Sequence, residues 1–212
     1  YDFAISNKSA MENQMRALGS SCDWSREKFT LDPQIFKMVF ETFIKMHKEG
    51  LIYRGYRIVN WCPRCRSTLA DVELEWQEKT DPLYYIKYGP FVLATVRPET
   101  KFGDTALAVH PIDKRYTKYV GQEIDVEGLL GKLKLKVIAD EAVDMNFGTG
   151  VIKVTPGHDP LDWEIGQRHK LEIKSVIDFD GKLTSIAGPY AGMKVAEARK
   201  KVAEDLQNKG LI

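Results

Sequence analysis

The stretch Gly150-Val151-Ile152-Lys153-Val154-Thr155-Pro156-Gly157-His158-Asp159-Pro160-Leu161-Asp162-Trp163 decides how this chain is read. A β-branched apolar run stops at a Pro-Gly turn, and Asp159 followed by Pro160 opens a helix as N-cap and first helical residue. Asp162, in the first turn, suits the positive end of the helix dipole. Working outward, the pattern predicts further short strands over residues 57–61, 72–76, 83–88, 91–96, 106–109 and 133–138, besides 151–154. Many short strands at irregular spacing point to a barrel-like sheet and away from a parallel doubly wound one. Helices flank them. One is expected over about residues 8–18, ending at Gly19. A second has Asp32 as N-cap and Pro33 in its first turn, carries Ile35, Phe36, Val39, Phe40, Phe43 and Ile44 on one face, and closes at Gly50. A third, over residues 194–208, puts Val195, Ala198, Val202 and Leu206 on one stripe before Gly210. The expected class is α+β, a barrel-like β core with flanking helices.

With 212 residues the chain can form one large domain, or a core domain with a small appendage. Thirty-one basic against thirty acidic residues leave a net charge of +1, so any RNA contact must be local. The three cysteines are an odd set for a disulfide framework, and the Cys62-x-x-Cys65 pair suggests a reducing compartment, read as the cytoplasm. No apolar run approaches the ~20 residues that span a bilayer, and a signal-peptide layout is missing, so no membrane partner is expected. Tyr1 in place of an initiator Met reads as a fragment of something longer, or as processing.

Three constellations could carry chemistry. Cys62-Pro63-Arg64-Cys65 has the spacing of half a zinc knuckle, but a tetrahedral site needs about four ligands and no second pair follows. It is either a tight turn with reduced cysteines or half a site completed elsewhere; no metal and no cofactor is expected. Around the end of residues 151–154, Lys153, Thr155, His158, Asp159 and Asp162 concentrate five polar side chains. Helix capping accounts for the aspartates; alternatively a carboxylate there could receive a substrate ammonium. Ala94-Thr95-Val96-Arg97-Pro98-Glu99-Thr100 is a second polar strand end, which solvation of Arg97 and Glu99 would also explain. No serine sits in a nucleophile elbow, so a hydrolase built from these parts would use water.

At these stretches a resemblance becomes specific. Thr95 to Thr100 resembles the threonine-rich motif, usually Thr-Thr-Arg-Pro-Glu-Thr, of the editing domain inserted in valyl-tRNA synthetases. The run from Phe147 to Pro156, with His158-Asp159-Pro160 and Asp162, resembles the second wall of the same pocket. The stretches Leu18 to Glu27, Gly50 to Gly55, Asn60 to Cys65 and Ala187 to Tyr190 are similar to that family too, so the resemblance covers nearly the whole chain. Isoleucyl and leucyl relatives usually differ at the positions of Glu99 and Lys153. The resemblance implies a helical flank over 1–55, a Cys-x-x-Cys connection over 56–80, a β-rich editing core over 81–190 and a C-terminal helix over 191–212.

The function so implied is hydrolytic proofreading: an ester hydrolase that removes threonine from Thr-tRNA(Val), and in the same way threonyl-adenylate. A hydrophobic synthetic pocket rejects an isostere with an added hydroxyl only weakly, by about a hundredfold for valine against threonine, the known example of this limit. By resemblance, Asp162 receives the ammonium; Lys153, Thr155 and Asp159 read the threonine hydroxyl and orient the ester; Phe147 is an apolar wall. Arg97, Thr95 and Thr100 hold the terminal adenosine and help place the water, and His158 and Glu99 join the substrate-binding set. The implied partners are the 3′ acceptor end of tRNA(Val) and the rest of a synthetase in cis. The activating signatures His-x-Gly-His and Lys-Met-Ser-Lys-Ser are missing, so this chain alone is not expected to use ATP. Val96 departs from the motif, which usually has a second threonine there. The competing readings are a non-catalytic module gripping the acceptor end, a free-standing deacylase, and an isoleucyl- or leucyl-type editing domain.

Overall fold

A computed structural model describes residues 1–212. The chain divides into two units, Tyr1–Tyr56 and Arg57–Ile212. The first holds helices α1 (Asp2–Ala17) and α2 (Pro33–Lys48) and buries no helical residue. Helix α1 begins six residues before the sequence expectation, whereas α2 starts at the expected Asp32-Pro33 boundary. Its apolar stripe of Phe36, Val39, Phe40, Phe43 and Ile44 is exposed.

The second unit starts with a two-stranded ribbon, β1 (Trp61–Cys62) and β2 (Ser67–Thr68). A hairpin of β3 (Tyr84–Tyr88) and β4 (Phe91–Thr95) follows, paired from Tyr84↔Thr95 to Tyr88↔Phe91. The main sheet contains β5 (Ala106–Val109), β6 (Glu123–Gly128), β7 (Gly131–Ala139) and β8 (Val151–Val154) in the order β6-β7-β5-β8. β5 runs parallel to β7 and antiparallel to β8, so the sheet is mixed. Helices α3 (Pro160–His169) and α4 (Val195–Asn208) complete the unit. No helix is long and apolar enough to cross a membrane.

The α+β class is as expected; the barrel is not. The hairpin and the main sheet are separate ladders, and none closes on itself. β8 is four residues long, and β4 runs beside it without joining the ladder. At the other edge, Glu123, Asp125 and Glu127 sit opposite Lys136, Lys134 and Lys132, an exposed row of opposite charges that fixes register and blunts the edge. The expected strand over 72–76 is also absent: Asp71–Glu73 form a 3-10 turn, and Val72 and Trp76 are 95% and 98% exposed. Its alternation finds neither a partner strand nor a core, and the Glu73 carboxylate instead accepts the Ala70 amide at 2.8 Å.

The central strand explains where the site sits. Along β5, Leu107 and Val109 enter a core with Ile86, Leu93, Val137, Val202 and Leu206, while Ala106 and Ala108 face a second core with Val143, Val154 and Ile165. Both faces of the sheet are thus covered, with α4 feeding the first core and α3 the second. The C-terminal end of β8 emerges between the N-terminus of α3 and the end of β4.

Candidate functional site

The chain leaves β8 through Thr155-Pro156-Gly157 and enters α3 with Asp159 as N-cap, its Oδ1 accepting the amides of Leu161 at 2.8 Å and Asp162 at 3.1 Å. Asp159 is therefore occupied in capping. Asp162 turns back toward the strand, where its Oδ2 accepts the Thr155 amide at 2.8 Å and its other oxygen stays open to a cavity. Only 8% of Asp162 is exposed. Burial pushes its carboxyl up to about 6, against the pull of the Thr155 amide and the Lys153 ammonium.

That cavity has a volume of ≈ 360 Å³ and is bounded by the ends of β4 and β8, the first turn of α3 and the loop after β7. Thr95, Val96, Arg97, Thr100, Phe147, Lys153, Thr155, His158, Asp159 and Asp162 all line it, so nearly every sequence-nominated residue meets in one place. Its floor is a hydrogen-bonded chain. Lys153 Nζ donates to Thr155 Oγ1 at 2.7 Å and to Thr100 Oγ1 at 2.9 Å; Thr100 in turn donates to the Arg97 carbonyl at 3.0 Å. The Arg97 guanidinium donates to the His158 carbonyl at 2.7 Å, tying the two polar strand ends together.

His158 is not a free base. Its Nε2 accepts the Val176 amide at 2.6 Å, which requires a neutral ring with the proton on Nδ1. Burial, with Arg97 and Lys153 nearby, lowers its pKa to about 4.

The outer wall is the loop from Asp140 to Gly150, and several anchors hold it. Arg168 Nη2 and Nε donate to the two Asp140 oxygens at 2.8 and 3.0 Å, Arg115 Nη2 donates to the Met145 carbonyl at 3.0 Å, and the Tyr116 hydroxyl donates to the Thr149 carbonyl at 2.8 Å. Gly148, at φ +57, lies so close to β4 that an added Cβ would sit 2.7 Å from Ala94 Cβ. A side chain there is excluded twice, by contact and by backbone conformation. The loop thereby presents Val143, Asp144 and Phe147 to the cavity.

Glu99 is placed elsewhere. It is fully buried beneath the Pro98–Gly103 turn, where its carboxylate accepts two hydrogen bonds from Arg199 of α4, at 2.8 and 3.0 Å. Sequence reasoning missed four residues that support the site: Asp104 and Tyr88 beneath the floor, Arg199 behind Glu99, and Asp140 behind the loop. No local pattern marks Asp104, because its partners stand 16 and 51 residues away.

Cys62 and Cys65 lie at the ribbon turn, the Cys65 amide donating to Cys62 Sγ at 3.4 Å. That bond, with Cys65 itself, lowers the pKa of Cys62, while Cys65 is raised by its neighbour. No group of three or more His, Cys, Asp or Glu side chains is arranged to hold a metal ion there or elsewhere in the chain.

Residues 1–199 match the family model of tRNA synthetases class I (I, L, M and V), and the chain belongs to that family. Valine-tRNA ligase of Carboxydothermus hydrogenoformans is 49% identical over 205 residues, covering 94% of this chain and 23% of its own length. Those of Petrotoga mobilis and Thermotoga maritima are 47% and 44% identical over 218 residues, 100% of this chain and 25% of theirs. The resemblance to valyl-tRNA synthetases carried by the motifs is thus borne out, and the chain spans about a quarter of the length of these curated relatives. Among solved structures, one described as the crystal structure of GlLeuRS-CP1 has a TM-score of 0.42 and 17% identity, over 57% of this chain and 80% of that one.

Proposed function

We propose that this chain is the hydrolytic editing unit of a valyl-type synthetase, removing threonine from Thr-tRNA(Val). The observation that carries the reading is the cavity's division of labour. Asp162 offers one open carboxylate oxygen for an ammonium, while Lys153 and Thr155 offer a donor and acceptors for a side-chain hydroxyl. Valine, with a methyl in place of that hydroxyl, would take the cavity side of these groups out of water without bonding it, and a site built to bond a hydroxyl rejects such an analogue strongly. Arg97, at the rim, suits the terminal ribose and phosphate. Water attacks the ester, and the rest of the synthetase acts in cis. Incubating the chain with Thr-tRNA(Val) and Val-tRNA(Val) tests this. Threonine should be released at least tenfold faster than valine; tRNA binding without release would leave only an acceptor-end grip.

Val96 is 42% exposed on the cavity wall, so a hydroxyl added there would be reachable by ligand and water. Val96→Thr is expected to raise the release of threonine about two- to tenfold, the worth of one net hydrogen bond of about 0.5–1.5 kcal/mol. The melting temperature should stay nearly unchanged. An unaltered rate would remove Val96 from the water- or ribose-positioning set.

A further inference from the structure

Beneath the cavity floor, and outside its lining, the Asp104 side chain is wholly buried and touches three groups. Its Oδ2 accepts the Tyr88 hydroxyl at 2.6 Å. Its Oδ1 accepts the Thr155 hydroxyl at 2.9 Å and lies 3.3 Å from Lys153 Nζ. A carboxylate only accepts, so the single Thr155 proton points down to Asp104, away from the cavity. Thr155 Oγ1 therefore meets Lys153 as an acceptor. Thr100 has the same polarity, its proton being spent on the Arg97 carbonyl.

We propose that Asp104 is a positioning residue that fixes the direction of hydrogen bonding at Thr155 and Lys153, so that an incoming ligand finds hydroxyl oxygens that accept and an ammonium that donates. A group with both a proton and a lone pair, such as a side-chain hydroxyl, satisfies such a floor. A methyl satisfies neither half. Without Asp104 the Thr155 hydroxyl would be free to turn its proton upward, and the Lys153 ammonium would lose the negative charge on its buried side. This selection rests on the reading of the cavity as a threonine-editing pocket; the orientation of the floor does not.

Two measurements separate them. In proton–nitrogen spectra of the lysine ammonium groups, Lys153 of the parent protein should give a slowly exchanging signal, and Asp104→Asn should lose it. A surviving signal in the folded variant overturns the proposal whatever the ligand. The second measurement is the affinity for threonyl- and valyl-adenosine analogues with an amide in place of the ester. Asp104→Asn should reduce the preference for threonyl about two- to tenfold and leave the valyl affinity unchanged; a merely structural role would weaken both alike. An intact preference in the folded variant overturns the proposed selection. If Asp104→Asn does not fold, Tyr88→Phe leaves the carboxylate on Thr155 and Lys153 and should keep the parent preference for threonyl, a lost preference in that folded variant counting against Asp104 as the group that sets it. If the parent protein shows no preference, the editing reading falls, and the proposed selection falls with it, while the spectra still decide the floor's polarity.

Discussion

Asp162→Asn is expected to slow threonine release by roughly thirtyfold or more and at the same time make the folded chain more stable at pH 8. Both effects come from one buried carboxylate. Asn can still accept the Thr155 amide through its carbonyl oxygen, so the turn into α3 keeps its bond. What disappears is a charge held at a cost. The carboxyl is raised from 3.8 to about 6 in the folded protein, chiefly by burial. Between those values the folded state holds a proton that the unfolded state has lost, so stability falls as pH rises through this window and the full cost remains above it. A shift of that size corresponds to at most about 3 kcal/mol. Removing the charge should therefore raise the melting temperature by at most about 6–12 °C at pH 8 and by much less at pH 4. For catalysis the sign reverses: losing one partner of a desolvated charge pair costs about 2–5 kcal/mol, a drop in rate of roughly thirtyfold or more. The parent kcat/KM should fall on the acid side with an apparent pKa near 6. His158, already bonded through Nε2, adds no step of its own near neutrality. A folded Asp162→Asn that hydrolyses Thr-tRNA(Val) at the parent rate would leave Asp162 only its structural bond to the Thr155 amide.

The positions of these side chains were legible in the sequence because their causes are local. An apolar run, a Pro-Gly turn and Asp-Pro place β8 and α3 within fourteen residues, and the side chains projecting from that junction have few other places to go. Strands with a compact apolar run or clear alternation were legible for the same reason: residues 106–109 and 151–154 fall as expected, and β7 contains the expected 133–138. What failed depends on partners. Residues 72–76 alternate as a strand should but find no strand to pair with, whereas β6, with only Ile124 and Val126 on its inner side, exists because β7 holds it. Closure into a barrel is likewise a property of edges, which no local pattern reports. Asp104 and Glu99 show the limit most clearly. Both are ordinary acidic residues in a turn, and only contacts with Tyr88, Thr155 and Arg199 reveal that one underlies the floor and the other locks the turn to α4.

Glu99 supplies the second large effect, this time on stability. Its carboxylate is fully buried and takes both hydrogen bonds of a forked pair with Arg199, one hundred residues away, while Arg97 Nε stands 3.7 Å off. Glu99→Ala would leave the Arg199 guanidinium with only Asp81, at 3.9 Å, as a remaining charged partner. Removing one partner of a buried ion pair costs about 3–5 kcal/mol. Arg199 keeps about a quarter of its side chain in water, 27%, so the low end applies, roughly 3 kcal/mol. The melting temperature should fall by about 6–12 °C. Threonine release per folded molecule at 20 °C should stay within about threefold of the parent, because the Thr100 bond to the Arg97 carbonyl lies within the turn itself and Glu99 does not reach the cavity. The double variant Glu99→Leu with Arg199→Met separates charge from packing. Replacing both partners by apolar groups of similar volume removes the uncompensated charge and should recover most of the lost stability. A Glu99→Ala protein that melts like the parent yet no longer hydrolyses Thr-tRNA(Val) would make Glu99 a ligand contact and move the wall of the cavity to include it.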